Sequence, residues 1–216
     1  MKKILLFVAF VLGFGVSVFA WDDSLNTAKN APYLSEVEKQ VIFELNKARS
    51  NPARFAKEYL EPMVGQFNGK MIKKGNMNMM TNEGVAAVND AINALKAQKA
   101  VSPLQPSKGL SKAAQDFAKE QSQTGAMGHN GKDGSTMKSR IESNGKWQKT
   151  IGENINYGSA NANQIVVDLI IDDGVPTRGH RKNIYNDNYK VVGIGVNTHP
   201  KYKNVCVMDF AGGFSN

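Results

Sequence analysis

Read for the spacing of its apolar positions, the chain divides into helical segments first and extended ones last. In "LSEVEKQVIFELNKARSNPARFAKEYL" (34–60), Val37, Val41, Ile42, Leu45 and Ala48 return every three or four residues, one stripe of a helix. Ser35, with Glu38 three positions on, is the capping-box pattern that starts such a helix. "SNP" (50–52) should break it, and "ARFAKEYL" restarts a shorter one. The same period returns at 82–98 through Val85, Val88, Ile92 and Leu95, and at 107–127 through Leu110, Ala113, Ala114, Phe117 and Ala118. "TMKSRIESNG" holds one or two further turns. "ANQIVVDLIIDDG" (161–174) is apolar almost all round and reads as a buried helix.

Residues 61–83, rich in Gly, Asn, Met and Lys, read as a long irregular connection whose methionines fill gaps beneath a loop, with an adaptable binding surface as the alternative. "GHNGKDGS" (128–135) is a turn-rich loop. "TIGENINYG" (150–158) is extended. "KVVGIGVNT" (190–198) and "NVCVMDFAG" (204–212) flank "HPKYK", a hairpin-length loop. In the first of these strands Val192, Ile194 and Val196 share one face. Val191, Gly193 and Gly195 share the other, where missing side chains let a helix backbone approach closely. Helices followed by a few antiparallel strands predict a layered α+β domain.

The first twenty residues, "MKKILLFVAFVLGFGVSVFA", stand apart. Lys2 and Lys3 precede an apolar run from Ile4 to Val16, and Val18-Phe19-Ala20 resembles a signal-peptidase site. The run is short of the roughly 20 residues a membrane helix needs. Residues 1–20 are therefore expected to be a signal peptide, 21–35 an N-terminal segment and 36–216 the domain, exported to the periplasm or the extracellular space. The formal charge of +8 stays positive without the two leader lysines. A basic exported protein favours anionic surfaces such as lipid headgroups, although a solvated lysine-rich surface has the same composition. No zinc-finger, RNP-like or helix-turn-helix pattern accompanies the charge, so nucleic acid is not an expected partner. The single cysteine, Cys206, excludes an internal disulfide and reads as a small buried hydrophobe in a strand.

Two of the three histidines share a setting: His129 follows Gly128, and His180 follows Gly179 in "RGHRKNIY" (178–185). Glu153 lies between them in "GEN", and Asp172 and Asp173 end the buried helix. Histidine with carboxylate serves metal ligation or acid–base chemistry, and the separations match no compact zinc motif. Arg178 and Arg181 are expected to keep the His180 ring neutral. The structural alternative is that His180 hydrogen-bonds within its loop while Arg181 pairs with an acid. Ser135 lacks a G-x-S-x-G setting, and Cys206 is in a strand, so neither reads as a nucleophile. His199, in the hairpin loop, reads as an exposed turn residue.

In order, "FELNKARSNP", "LSKAAQDFAKEQ", "GHNGKDGST", "IGENINYG", "IIDDGVPTRGHRKNIYN", "VVGIGV" and "CVMDFAGGF" resemble the CAP superfamily, or SCP domain, in its disulfide-free bacterial type. The resemblance runs from about residue 36 to 213. It implies an α-β-α sandwich with a three-stranded antiparallel sheet between helices, and a cleft lined by two histidines and two acids. His129, Glu153 and His180 match three of the four. Asp172 stands where the family usually has Glu, with Asp173 as the register alternative. Leu169 occupies a position where an aromatic is common. Family members have been linked to divalent metals, to sterols or lipids and, in some cases, to proteolysis. The resemblance thus implies a secreted binding module. His129 and His180 would hold Zn²⁺ or another divalent cation, Glu153 and Asp172 would accept hydrogen bonds or bridge through water, and the partner would be a lipid, glycan or protein. The alternative is a metal-assisted, peptidase-like hydrolase in which the catalytic Glu153 activates water. A third reading is an interaction domain whose cleft is vestigial.

Overall fold

The computed structural model describes residues 20–75 and 77–215; the predicted signal peptide lies outside them except for Ala20. Helix α1 (Glu36–Ser50) starts at the expected capping box. The Ser35 hydroxyl accepts from the Glu38 N–H, and the Glu38 carboxylate accepts from the Ser35 N–H at 2.8 Å. Asn51 then caps α2 (Pro52–Phe55), which continues as a π turn (Ala56–Leu60) and a 3₁₀ stretch (Glu61–Gln66). The expected irregular connection is instead a small antiparallel sheet of β1 (Phe67–Asn68), β2 (Met71–Lys74) and β3 (Met77–Met80). Gly69 and Gly75 turn it at φ of +59° and +61°, in the left-handed region glycine adopts without cost. There follow α3 (Val85–Ala97), β4 (Gln105–Pro106), α4 (Lys108–Thr124), α5 (Met137–Glu142), β5 (Lys146–Trp147), β6 (Ile151–Tyr157), α6 (Ala162–Ile171), α7 (Gly179–Ile184), β7 (Val191–His199), β8 (Lys203–Ala211) and β9 (Phe214–Ser215).

The main sheet runs β4-β7-β8-β6. Its three long strands are antiparallel, as expected, and the two-residue β4 adds a short parallel edge. Side chains alternate across it. Val192, Ile194, Cys206, Met208 and Phe210 meet α1, α3 and α6 in the larger core, while Ile155, Val205 and Val207 meet Ala114, Phe117 and Ala118 of α4. The two glycines of β7 decide how near α4 comes. A Cβ on Gly193 would sit 2.1 Å from the Leu110 carbonyl carbon, and one on Gly195 would sit 2.4 Å from that of Ala114. The α4 backbone lies directly on the strand there, as the pattern predicts.

Arg49, fully buried at the end of α1, ties the helix layer together. It donates to the carbonyls of Ser102, Ile184, Asn186 and Tyr189. Burial pulls its pKa down to about 10, so it still carries its charge at neutral pH. This contact fixes the chain just beyond α7 and, with it, the position of His180.

Candidate functional site

His129 stands in the loop after α4. Gly128 turns that loop at φ +91°, with its N–H donating to the Tyr157 hydroxyl and its carbonyl accepting from Gln121. The ring Nδ1 of His129 faces Glu153 Oε1 at 2.7 Å. Glu153 sits in mid-strand on β6, with only 2% of its side chain exposed. Its other oxygen accepts from Arg140 Nη2 at 2.8 Å, and Arg140 also donates to the His129 carbonyl. The guanidinium lies 3.5 Å from the centre of the Phe117 ring, a cation–π contact. The hydrogen bond to Glu153 raises the pKa of His129, against an opposing pull from partial burial.

The second pair is built differently. Asp172 ends α6 in the left-handed conformation, φ +57°, which swings its carboxylate towards the first turn of α7. That carboxylate accepts from the His180 ring Nδ1 at 2.6 Å and from the His180 backbone N–H at 2.9 Å. The short Asp side chain suffices because the helix end itself brings the carboxyl to the imidazole. Asp173, the register alternative, accepts from the Asn82 and Glu83 N–H groups and ties α6 to the start of α3.

The flanking arginines make their bonds away from the His180 ring. Arg178 grips Glu83 with two 2.6 Å bonds and reaches Asp90, and Arg181 reaches Asp90 and the Ile170 carbonyl. Their charges are committed to the α3 side, which is the structural alternative for Arg181. Two asparagines without a role in the sequence also find one. Asn154, of "GEN", donates to the His180 carbonyl, and Asn183 donates to Asn154. They stitch β6 to α7. His199 corrects another expectation. It is 2% exposed, its ring Nε2 pairs with the Ala126 carbonyl, and its Nδ1 accepts from the Lys201 and Tyr202 N–H groups. The tight hairpin folds back on the ring, so it is a buried brace. Cys206 is buried, and desolvation pushes its thiol well up, away from thiolate chemistry.

A cavity of about 600 Å³ opens beside the second pair. His180 and Asp172 line it, with Leu169 and Ile171 of α6 and Val88 of α3. The small sheet forms the opposite wall through Phe67, Ile72, Met79 and Met80, and Met127 closes one side. The large hydrophobic side chains exposed among the described residues are Met79 (46%), Met80 (71%) and Met127 (50%), and all three line this cavity. His129 and Glu153 do not line it.

The four site residues therefore come together as two pairs. For a divalent cation the donor chemistry fits in kind. Each imidazole has its Nδ1 against a carboxylate, which orients the ring and leaves Nε2 free to ligate. Among the described residues, no group of three or more His, Cys, Asp or Glu is gathered to complete a closed metal site. Sequence reasoning missed Arg140, Asp209 and the cavity wall at 67–80. The "VMDF" Asp, an ionisable residue within an apolar strand, was the available signal for Asp209, but its neighbour depends on register.

An α-β-α layering, a β6 acid facing a loop histidine and an α7 histidine facing the end of α6 define a CAP-type domain. The family model for the cysteine-rich secretory protein (CAP) family matches residues 89–210, more than half of the sequence, and the chain belongs to that family. Solved structures with a related fold include an extracellular SCP-domain protein from Bacillus anthracis (18% identity over 59% of this chain and 37% of that one, TM-score 0.41). Another is an outer surface protein from Borrelia burgdorferi (16%, 59% and 89%, TM-score 0.44). A third is a cysteine-rich secretory protein from Staphylococcus aureus (14%, 66% and 46%, TM-score 0.39). The chain spans less than half the length of the first and third. No curated protein matches it. No described helix is long and apolar enough to cross a membrane.

Proposed function

We propose that this protein is an exported CAP-domain binding module whose cavity takes an acyl-chain lipid with a small hydrogen-bonding head. The observation that carries this reading is the cavity wall. Three exposed methionines, costly to leave in water, converge on one space whose volume suits a small ligand. Methionine is flexible and polarisable and fits chains of irregular path. Polar groups share the lining: Thr81, Asn82, Asp168, Asp172, Asp173, His180 and Asn156, whose buried side-chain oxygen has no hydrogen-bond partner among the described residues. Apolar walls favour a lipid over a glycan. The export part rests on the pattern of residues 1–20 and on the secretory character of the family. The test is titration of the mature protein with a dansylated undecanoic acid. Blue-shifted, enhanced emission that saturates supports the reading, and emission unchanged by the protein, or equal in Met79→Ser/Met80→Ser, sinks it.

Zn²⁺ or another divalent cation would be held by the Nε2 atoms of His129 and His180, with Glu153 and Asp172 orienting the rings and water completing the shell. Such an ion would supply a Lewis acid. Calorimetric titration with Zn²⁺ checks this, and binding no tighter in wild type than in His180→Ala ends it. The hydrolase alternative asks Glu153 to polarise a water. Its oxygens are engaged by His129 and Arg140, and it stands off the cavity. The binding reading is preferred on that ground. Peptide and ester turnover that is chelator-sensitive and lost in Glu153→Ala would reverse the preference.

A further inference from the structure

Behind the first histidine pair lies a third ionisable group. Asp209, on β8, is paired in register with Glu153 on β6, so the two side chains stand side by side on the face that α4 covers. On the other flank its register partner is Gly193, where the α4 backbone passes at Leu110 and Ser111. Asp209 is 1% exposed, and neither of its oxygens finds a hydrogen-bond donor among the described residues. Arg140 is the nearby cation, yet its bonds go to Glu153, His129 and Ser135, and its Nε is also buried without a partner. The Ser111 hydroxyl on α4 is a further buried group without a partner.

A sealed carboxylate with no donor, beside a second carboxylate, cannot keep its charge at a tolerable cost. Burial and the neighbouring Glu153 both push the Asp209 pKa upward, opposed only by Arg140. We propose that Asp209 is a positioning residue: a neutral carboxylic acid whose O–H donates to Glu153, making His129–Glu153–Asp209 one hydrogen-bonded array from solvent to core. Glu153 is the centre of the array, holding the imidazole on one side, Arg140 on the second and the acid proton on the third. The assignment is independent of what the cavity binds. It explains how two acids share one buried site with a single arginine, and it leaves Glu153 poorly suited to accept a proton from water.

The experiment uses Asp209→Asn, which keeps the shape and a donor, with Asp209→Leu as the variant that removes it. Difference infrared spectra of wild type at neutral pH should show the carbonyl band of a protonated carboxyl, absent in Asp209→Asn. The His129 ring, followed by NMR, should titrate at the same pH in Asp209→Asn as in wild type, because one neutral donor replaces another. It should shift in Asp209→Leu. Asp209→Asn should also melt higher than wild type at alkaline pH and equally near pH 4, where both side chains are neutral. A missing carboxyl band, or a His129 midpoint that falls in Asp209→Asn as it would on losing a negative charge, overturns the proposal. If Asp209→Leu does not fold, the band and the Asp209→Asn titration still decide.

Discussion

His129 and His180 make the same contact in opposite surroundings. Each offers Nδ1 to a carboxylate at 2.6–2.7 Å. The first carboxylate, Glu153, is sunk in the sheet with a buried arginine on its other oxygen, while its histidine ring is half out in solvent, at 54% exposure. The second, Asp172, sits at a helix end, shares itself between the ring and backbone N–H of one residue, and turns that ring towards an apolar cavity. One pair is organised around charge held inside the domain. The other is organised around presenting an imidazole to a cavity. Equal chemistry in a sequence motif thus does not mean equal work.

The most damaging way to break the comparison is Glu153→Ala. It leaves Arg140, 10% exposed, without its carboxylate, and breaking a buried pair from one side costs about 3–5 kcal/mol. Urea denaturation should show that loss, and a value below 1 kcal/mol would mean the pair is not coupled to the fold. Asp172→Ala should cost less, about 2 kcal/mol, for two hydrogen bonds to a charged acceptor, both made to one residue. Asp172→Asn should recover part of it, because Asn tolerates the left-handed backbone and still accepts a bond. Equal losses in Ala and Asn variants would show that His180 is held by α7 alone.

Acidity separates the pairs more gently. The folded pKa of His129 is raised, so the stability it contributes is fully present below its ordinary value of about 6.5 and fades as pH climbs through the folded value. His129→Gln should lose that fading component, seen as a flatter dependence of melting temperature on pH from 6 to 8. An unchanged slope would place the coupling elsewhere. The smallest effect on stability belongs to the cavity wall. Met80→Ser, at an exposed position, should change unfolding free energy by no more than about 0.5 kcal/mol while weakening dansyl-lipid binding several-fold. Unaltered binding would move the ligand away from the small sheet.

Much of this architecture was legible before any coordinates. The capping box at Ser35, the break at "SNP", the buried character of 161–174 and the close helix approach at Gly193 and Gly195 all follow from local rules of spacing, capping and backbone sterics. So did membership of the CAP family and, through its motifs, the choice of His129, Glu153, Asp172 and His180 as one set. The small sheet at 67–80 was missed because three strands of two to four residues carry too little alternation to stand out in a Met- and Lys-rich stretch. His199 was misjudged because a hairpin loop is usually solvated, whereas this one folds its ring against the Ala126 carbonyl.

By itself the sequence determined where the main helices and the three long strands lie, because these are properties of neighbours along the chain, and its family motifs singled out the four polar site residues. The tertiary structure alone decided that the four form two separate pairs, that Arg178 and Arg181 serve α3 and leave His180 to Asp172, and that Asp209 lies beside Glu153. Those facts depend on strand register and helix docking. A shift of one residue in register would send Asp209 to the opposite face of the sheet, and no local rule sets that register.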